Sequence, residues 1–395
     1  VSPSQFPSRF LWPAYLTAGF GLALNAMMSF LLPLRAVEFG VGLGTIGLLL
    51  GAQGIVEAYA SIPVGGFIDR IGPRRAFIAG TAASTVLVLL YWAVTAFWVY
   101  FILQILIGFT RPLAWVGAQS YVSSMRSGAD RAHDTGRLAF VATGAQIVAP
   151  LVVGVASEVF GVRNAFLAIG GYCALFVPLG LVLPALPTVN AGSDRGVAGL
   201  RDAAHLLRIP GMRVAMYTTF ARLWSKSAWA AFFPLLLVTE GESKAAASTV
   251  VAGMALIATA LSPTAGWFAK RIRVEYIAAA SLGIAAVGLA ISPFIAAIPV
   301  AYLGAFLVGI GHGLSLPALL VIVSQSAPED QRGLALGMRS GANQGASAVA
   351  PPIVANVIGA TSPAIGYPLG GAVAIVLVTI AALTARRHPV EAVPD

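Results

Sequence analysis

The stretch Gly65-Gly66-Phe67-Ile68-Asp69-Arg70-Ile71-Gly72-Pro73-Arg74-Arg75 is a charged break between two long apolar runs. Its glycines permit a tight turn, and the turn holds a carboxylate and a guanidinium at the end of a helix. The runs on either side, near 44–66 and 75–95, carry a single charge well inside them, Glu57. Working outward, the same alternation of apolar run and polar break recurs along the chain. Twelve candidate spans result, near 12–35, 44–66, 75–95, 97–125, 137–158, 163–186, 211–237, 246–268, 274–296, 299–325, 334–358 and 363–385. Each is long enough to cross a hydrocarbon core of about 30 Å, some of them only with tilt.

Composition points the same way. Hydrophobic residues make up 58% of the 395 and charged residues 10%, against about 25% charged in a typical soluble domain. Mean hydropathy is +0.86. This excludes a soluble globular protein and a disordered one. The single cysteine, Cys173, excludes a disulfide framework and a cysteine-based zinc site. No pair of residues has metal-ligand spacing, so neither a metal nor a cofactor is expected. The first run has no small-residue cleavage signature and reads as a span, not as a signal peptide. The chain starts at Val1, which leaves room for residues upstream.

The basic residues sort strongly by side. The groups Arg70/Arg74/Arg75, Arg126/Arg131/Arg137, Arg195/Arg201/Arg208/Arg213, Lys270/Arg271/Arg273 and Arg386/Arg387 fall on one side, with Arg9 and Arg332. Only Arg35, Arg163 and Lys244 fall on the other. The positive-inside rule then places both termini and the 187–210 loop in the cytoplasm, and a multi-pass protein of the bacterial inner (plasma) membrane is expected. Basic loops facing anionic lipid account for the net charge of +9 without a nucleic-acid partner. The expected partners are the bilayer, a small solute and protons, with the chain a monomer.

An internal repeat lies under this pattern. A constant shift of 201 pairs Pro33 with Pro234, Gly65 with Gly266, Arg70 with Arg271, Gly108 with Gly309, Gly144 with Gly345 and Ala149-Pro150 with Ala350-Pro351. Residues that impose special backbone demands thus recur in one ungapped register, the signature of duplication. The expected architecture is all-α, with twelve transmembrane helices in two pseudo-symmetric six-helix bundles, 1–186 and 211–395, joined by a cytoplasmic linker at 187–210. Two such halves point to a solute site at mid-membrane.

The opening stretch resembles the G-x-x-x-D-R-x-G-x-R-R signature of the major facilitator superfamily, at its expected place between the second and third spans. The resemblance implies a conformational latch made by Gly65, Asp69, Arg70, Gly72, Arg74 and Arg75. Asp69 would sit near the start of the eleventh span, where the helix dipole favours an anion, and Arg126 would act as partner at the end of the fourth. The second half keeps only Gly266 and Lys270-Arg271, so the latch is expected on one half. Gly144 through Pro150 to Gly154 resembles the fifth-helix motif of the superfamily's proton-coupled drug and metabolite antiporters, with Ala149 and Val153 in place of two glycines. Where those antiporters carry an arginine in the fourth helix this chain has Gln104, and an arginine stands instead at Arg111.

Six ionisable residues lie within spans: Glu57, Arg111, Arg222, Lys226, His312 and Arg339. At about 2.5 kcal/mol each on insertion scales, the five besides histidine would cost roughly 12 kcal/mol against lipid. They must therefore face a cavity, pair with each other or reach an interface. Arg339 lies one turn inside the eleventh span, close enough to its end to snorkel. Arg222 and Lys226 share a face of the seventh span with Trp229, and Arg111 shares a stripe with Gln104 and Trp115. By resemblance the first, fourth, seventh and tenth helices line the central cavity. This makes Arg111, Lys226 and His312 the leading solute-binding candidates, with Arg222, Trp115, Trp229, Asn25 and Asn343 beside them. Glu57, the one deep acid, is either a proton-coupling site or a static partner of Arg111 or Arg339, and His312 is a second candidate for the proton.

The basic surplus points to an anionic or amphipathic metabolite or drug, exported by a secondary transporter working by alternating access and coupled to protons. An importer or uniporter of an organic anion is the alternative within the class. A receptor on a transporter scaffold or an intramembrane enzyme is the alternative outside it, though no catalytic constellation is present at one depth. An ATP-driven pump is excluded because no G-x-x-x-x-G-K-[ST] loop exists.

Overall fold

The computed structural model describes residues 8–125, 129–185, 205–298, 300–328 and 331–387. In it each apolar run is a helix: α1 Leu11–Glu38, α2 Leu43–Ile71, α3 Pro73–Ala93, α4 Phe97–Met125, α5 Ala129–Phe160, α6 Val162–Val182, α7 Pro210–Thr239, α8 Lys244–Leu261, α9 Val274–Ile291, α10 Ala301–Ser326, α11 Arg332–Ala360 and α12 Pro363–Arg387. α5 begins earlier than the apolar pattern suggests, because a polar but helix-compatible segment precedes the apolar run. α8 ends where Ser262–Thr264 tighten into a 3-10 turn around Pro263, which has no N–H to continue the helix. A short helix, Ala265–Ala269, completes that span.

Among the described residues, ten helices are long and apolar enough to cross a membrane. The two that fall short are α7 and α11, which carry Arg222, Lys226 and Arg339.

The repeat is visible in local geometry. Pro33 and Pro234 both sit inside helices, as do Pro150 and Pro351. Gly40 and Gly241, again 201 apart, both have positive φ, at 70° and 100°. Their N–H groups donate to Val37 O and Val238 O at 2.9 and 3.2 Å. α1 and α7 therefore end in the same left-handed turn, which only glycine enters freely.

The turn expected within Gly65–Arg75 falls at Gly72, φ 88°, and the residues before it, through Ile71, are the last part of α2. Pro73 then starts α3, where its missing N–H costs nothing.

The chain forms two compact units. The first holds α1, α2 from Ile55, α3 to α6 and α8 as far as Ala252; the second holds Gly42–Gly54 of α2, α7, α8 from Gly253 and α9 to α12. This differs from a simple division at the linker, because the first turns of α2 and α8 are each counted with the other unit. The cause in α2 is a glycine stripe. A Cβ at Gly47 would lie 2.7 Å from Pro351 O, and one at Gly51 would lie 2.3 Å from Ala348 O. Backbone meets backbone along this face of α11.

Within the first unit, α1 packs on α5, α4 and α6, and α3 on α4 and α6. Arg74 closes the α3–α6 end: its Nε and a terminal nitrogen donate to Gly180 O and Leu181 O at 3.2 and 2.7 Å. These are carbonyls of the last turn of α6, which have no helical donor of their own. Arg74→Ala is expected to destabilise the protein by roughly 1–3 kcal/mol, read as a lower midpoint of thermal unfolding in detergent; an unchanged midpoint would remove this structural role. In the second unit, α9 packs on α10 and α12, and α7 on α11 and α12. Exposed Trp12, Trp98 and Trp267 sit at helix ends, where amphipathic rings favour a membrane–water boundary.

Candidate solute-binding site

In the first unit, α2 and α4 bring Glu57 and Arg111 together. Glu57 is 3% exposed. Arg111 Nε donates to Glu57 Oε1 at 2.7 Å, and an Arg111 terminal nitrogen reaches both carboxylate oxygens. The planar guanidinium suits this bidentate contact. Of the two partners weighed for Glu57 from sequence, the structure pairs it with Arg111. Arg111 is accordingly bound to an acid and not held open for an anion.

Gln104, two turns earlier on α4, is 2% exposed and accepts a hydrogen bond from Tyr91 of α3 at 2.9 Å. The position is part of the α3–α4 core. Trp115 packs against α1, its Cβ 2.9 Å from where a Cβ on Gly21 would be. Asn25 is half-buried on α1.

In the second unit the in-span cations gather on α7, α10 and α11. Arg222 Nε donates to Ser315 Oγ of α10 at 3.1 Å. The His312 ring, 4% exposed, places Nε2 3.1 Å from Arg222 O. A carbonyl can only accept, so this nitrogen carries the proton and the ring is held as a donor. Arg339 is close enough for its charge to act on Arg222, and the charges of Arg222 and Lys226 both act on His312. Neither Arg222 nor Arg339 is ion-paired to a carboxylate among the described residues. Arg339 Nε and Asn343 Oδ1 are buried and have no hydrogen-bond partner among the described residues. The Nε of Arg339 is enclosed, while the residue as a whole is half-buried.

Trp229 takes a different place from the one its proximity to Lys226 suggests. It is fully buried, its Nε1 donates to Ser292 Oγ at 3.1 Å, and its ring packs on Phe233. It belongs to the packed interior. Ser315 and Arg339 were not among the sequence-derived solute contacts. For Arg339 the signal was present in its depth, whereas for Ser315 nothing in the sequence separated it from the other serines.

Arg74 caps α6 as described, and Arg70 and Arg75 are exposed. Gly65 lies in α2 and Gly72 forms the turn. Arg126 and the Asp69 side chain lie outside the described residues. On α5, Pro150 is buried, Gly144 has open space where a Cβ would be, and a Cβ on Gly154 would collide with Ser248 of α8.

One apolar groove of about 470 Å³ is lined by α11, α12 and Trp224 of α7. The charged residues do not line it. No group of three His, Cys, Asp or Glu suited to a metal occurs among the described residues.

A sequence profile of the Major Facilitator Superfamily matches residues 11–351 and 215–395. The chain belongs to the major facilitator superfamily. No curated protein matches the sequence. Solved superfamily structures share its fold at low identity. A mutant form of a nucleoside transporter, NupG, superposes with a TM-score of 0.81 at 15% identity, over 95% of this chain and 99% of that one. A peptide transporter, POT, in complex with sulfate gives 0.78 at 14% identity, with 98% of each chain covered. A bacterial homologue of the human lysosomal transporter Spinster, inward-facing and unoccupied, gives 0.76 at 14%, over 97% and 96%. The superfamily is one of membrane transporters, and this chain is an integral, multi-pass member of it.

Proposed function

We propose that this superfamily member exports a small anionic organic solute by alternating access, in exchange for protons. The observation that carries the reading is the charge distribution inside the helices. The one deep carboxylate, Glu57, is paired with Arg111, while Arg222 and Arg339 have no carboxylate partner among the described residues. Unpaired guanidinium groups in a low-dielectric setting attract anions and repel cations. Lys226 and His312 add to the basic surroundings. Pro150 and its small neighbours on α5 favour the exporter over the importer.

Glu57 is the proton site in this scheme. A proton from water adds to its carboxylate, neutralises it and breaks the ion pair, leaving Arg111 as an uncompensated cation. Loss of the proton restores the pair. Two charge states of one pair thus give two states of α2 against α4, which is what coupling requires.

The test is proton movement in liposomes that contain the reconstituted protein and a pH-sensitive dye, challenged with anionic and cationic solutes. An anion should move protons with the wild type and not with Glu57→Gln. A response to cations alone would overturn the anion reading. An anion that moves protons equally in both proteins would remove Glu57 as the coupling group.

A further inference from the structure

The second unit carries information about the solute beyond its charge. α7 and α11 cross in the same direction, four spans apart, and are tied by a hydrogen bond from Ser227 Oγ to Ser347 Oγ at 3.2 Å. Counting from that bridge toward the helix N-termini, Arg222 lies five residues down α7 and Asn343 lies four residues down α11. At 1.5 Å per residue these are roughly 7.5 and 6 Å below the bridge, so they sit at one level. Arg339 lies one further turn down, on the same face of α11 as Asn343 and Ser347.

Two buried polar atoms on this face lack partners, and they are of opposite kind. Arg339 Nε is a donor and Asn343 Oδ1 is an acceptor. Their i, i+4 spacing puts them side by side on α11, yet neither atom bonds the other, so the face presents a donor and an acceptor together. Burying either without a hydrogen bond is costly, and more so for the charged guanidinium. An acid group alone would satisfy Arg339 and Arg222 and leave the Asn343 oxygen unmet. A solute that also carries a hydroxyl would satisfy both.

We propose that the solute is a hydroxy acid, its acid group between Arg222 and Arg339 and its hydroxyl hydrogen donated to Asn343 Oδ1, with the two functions within one helical turn of each other. This rests on the anion reading above and narrows it. His312 and Ser315 have a supporting part: Ser315 bonds the Arg222 guanidinium and His312 its backbone carbonyl, which fixes the arginine without neutralising it.

The test uses the purified full chain in detergent and four probes: butanoate and its 2-, 3- and 4-hydroxy derivatives, with 1-butanol as the neutral control. Dissociation constants come from the rise in unfolding temperature over a concentration series. At least one hydroxy acid should bind about five- to tenfold more tightly than butanoate, the worth of one added neutral hydrogen bond. Asn343→Ala should bring that ratio to about one, whereas a merely structural role would weaken all the acids together and leave the ratio unchanged. Arg339→Gln should weaken all four acids. If butanoate and every hydroxy derivative bind equally well to the wild type, the inference is overturned while the anion reading stands. If no acid binds, the anion reading fails and takes the inference with it.

Discussion

Replacing Arg111 with glutamine should lower the stability of the folded protein by about 3–5 kcal/mol and abolish proton-linked transport. Glu57 is 3% exposed, and Arg111 meets its carboxylate with Nε and a terminal nitrogen. Removing the guanidinium leaves a buried carboxylate without its counter-charge, which is the expensive way to break such a pair. Changing both residues to glutamine removes the two charges together and leaves two amides able to bond across the same gap. The double variant should therefore regain most of the stability and none of the coupling. The measurement is thermal unfolding of the three purified proteins, set beside the liposome proton assay. A single Arg111→Gln variant as stable as wild type would show that the pair has no structural weight. A double variant that still couples would move the proton to another group, with His312 the next to examine.

This pair also shows how far the residues can be read without coordinates. Helical spans and their repeat are legible because periodicity and length are properties of consecutive residues. The matching glycine turns at Gly40 and Gly241 follow from that duplication. Depth is legible too, which is why Glu57, Arg111, Arg222 and Arg339 stood out. What a helix face meets is not legible, because it depends on a neighbour far away in the chain. Arg111 reads from sequence either as an open cation or as the partner of Glu57, and only the placement of α2 beside α4 decides for the pair. Trp229 lies one turn from Lys226, yet three residues turn the helix by about 60° short of a full turn, enough to carry the ring into the core beside Ser292. The Gly65–Arg75 stretch reads as a turn from its glycines and charges, but which of its glycines makes the reversal depends on the backbone, and Gly72 supplies it. Arg339 was ambiguous for a related reason: a long side chain near a helix end has both an inward and an outward path, and only packing decides between them.

Packing decides the second large effect as well. Gly51→Leu should destabilise the protein by about 3 kcal/mol or more, the upper end of overpacking costs, whereas Gly283→Ala should stabilise it by about 0.5–1 kcal/mol. Both glycines lie inside helices, so by propensity alone a larger residue would favour each helix. Their surroundings set the sign. A Cβ on Gly51 would stand 2.3 Å from Ala348 O and 3.2 Å from Pro352 Cδ, and one on Gly283 would meet nothing within 4 Å. At Gly51 the obstacle is the backbone of α11, which no rotamer change relieves. α2 would have to leave that face along the whole run from Gly44 to Gly54, where Gly47 and Gly54 also touch α11 backbone atoms. At Gly283 the added methyl only removes conformational freedom from the unfolded chain. Thermal unfolding of the two variants beside wild type gives the answer. Shifts of opposite sign confirm that the glycine face of α2 holds the second unit together. A Gly51→Leu protein that unfolds at the wild-type temperature would mean that α2 is free to part from α11, and the stripe would then be a gap and not a seal.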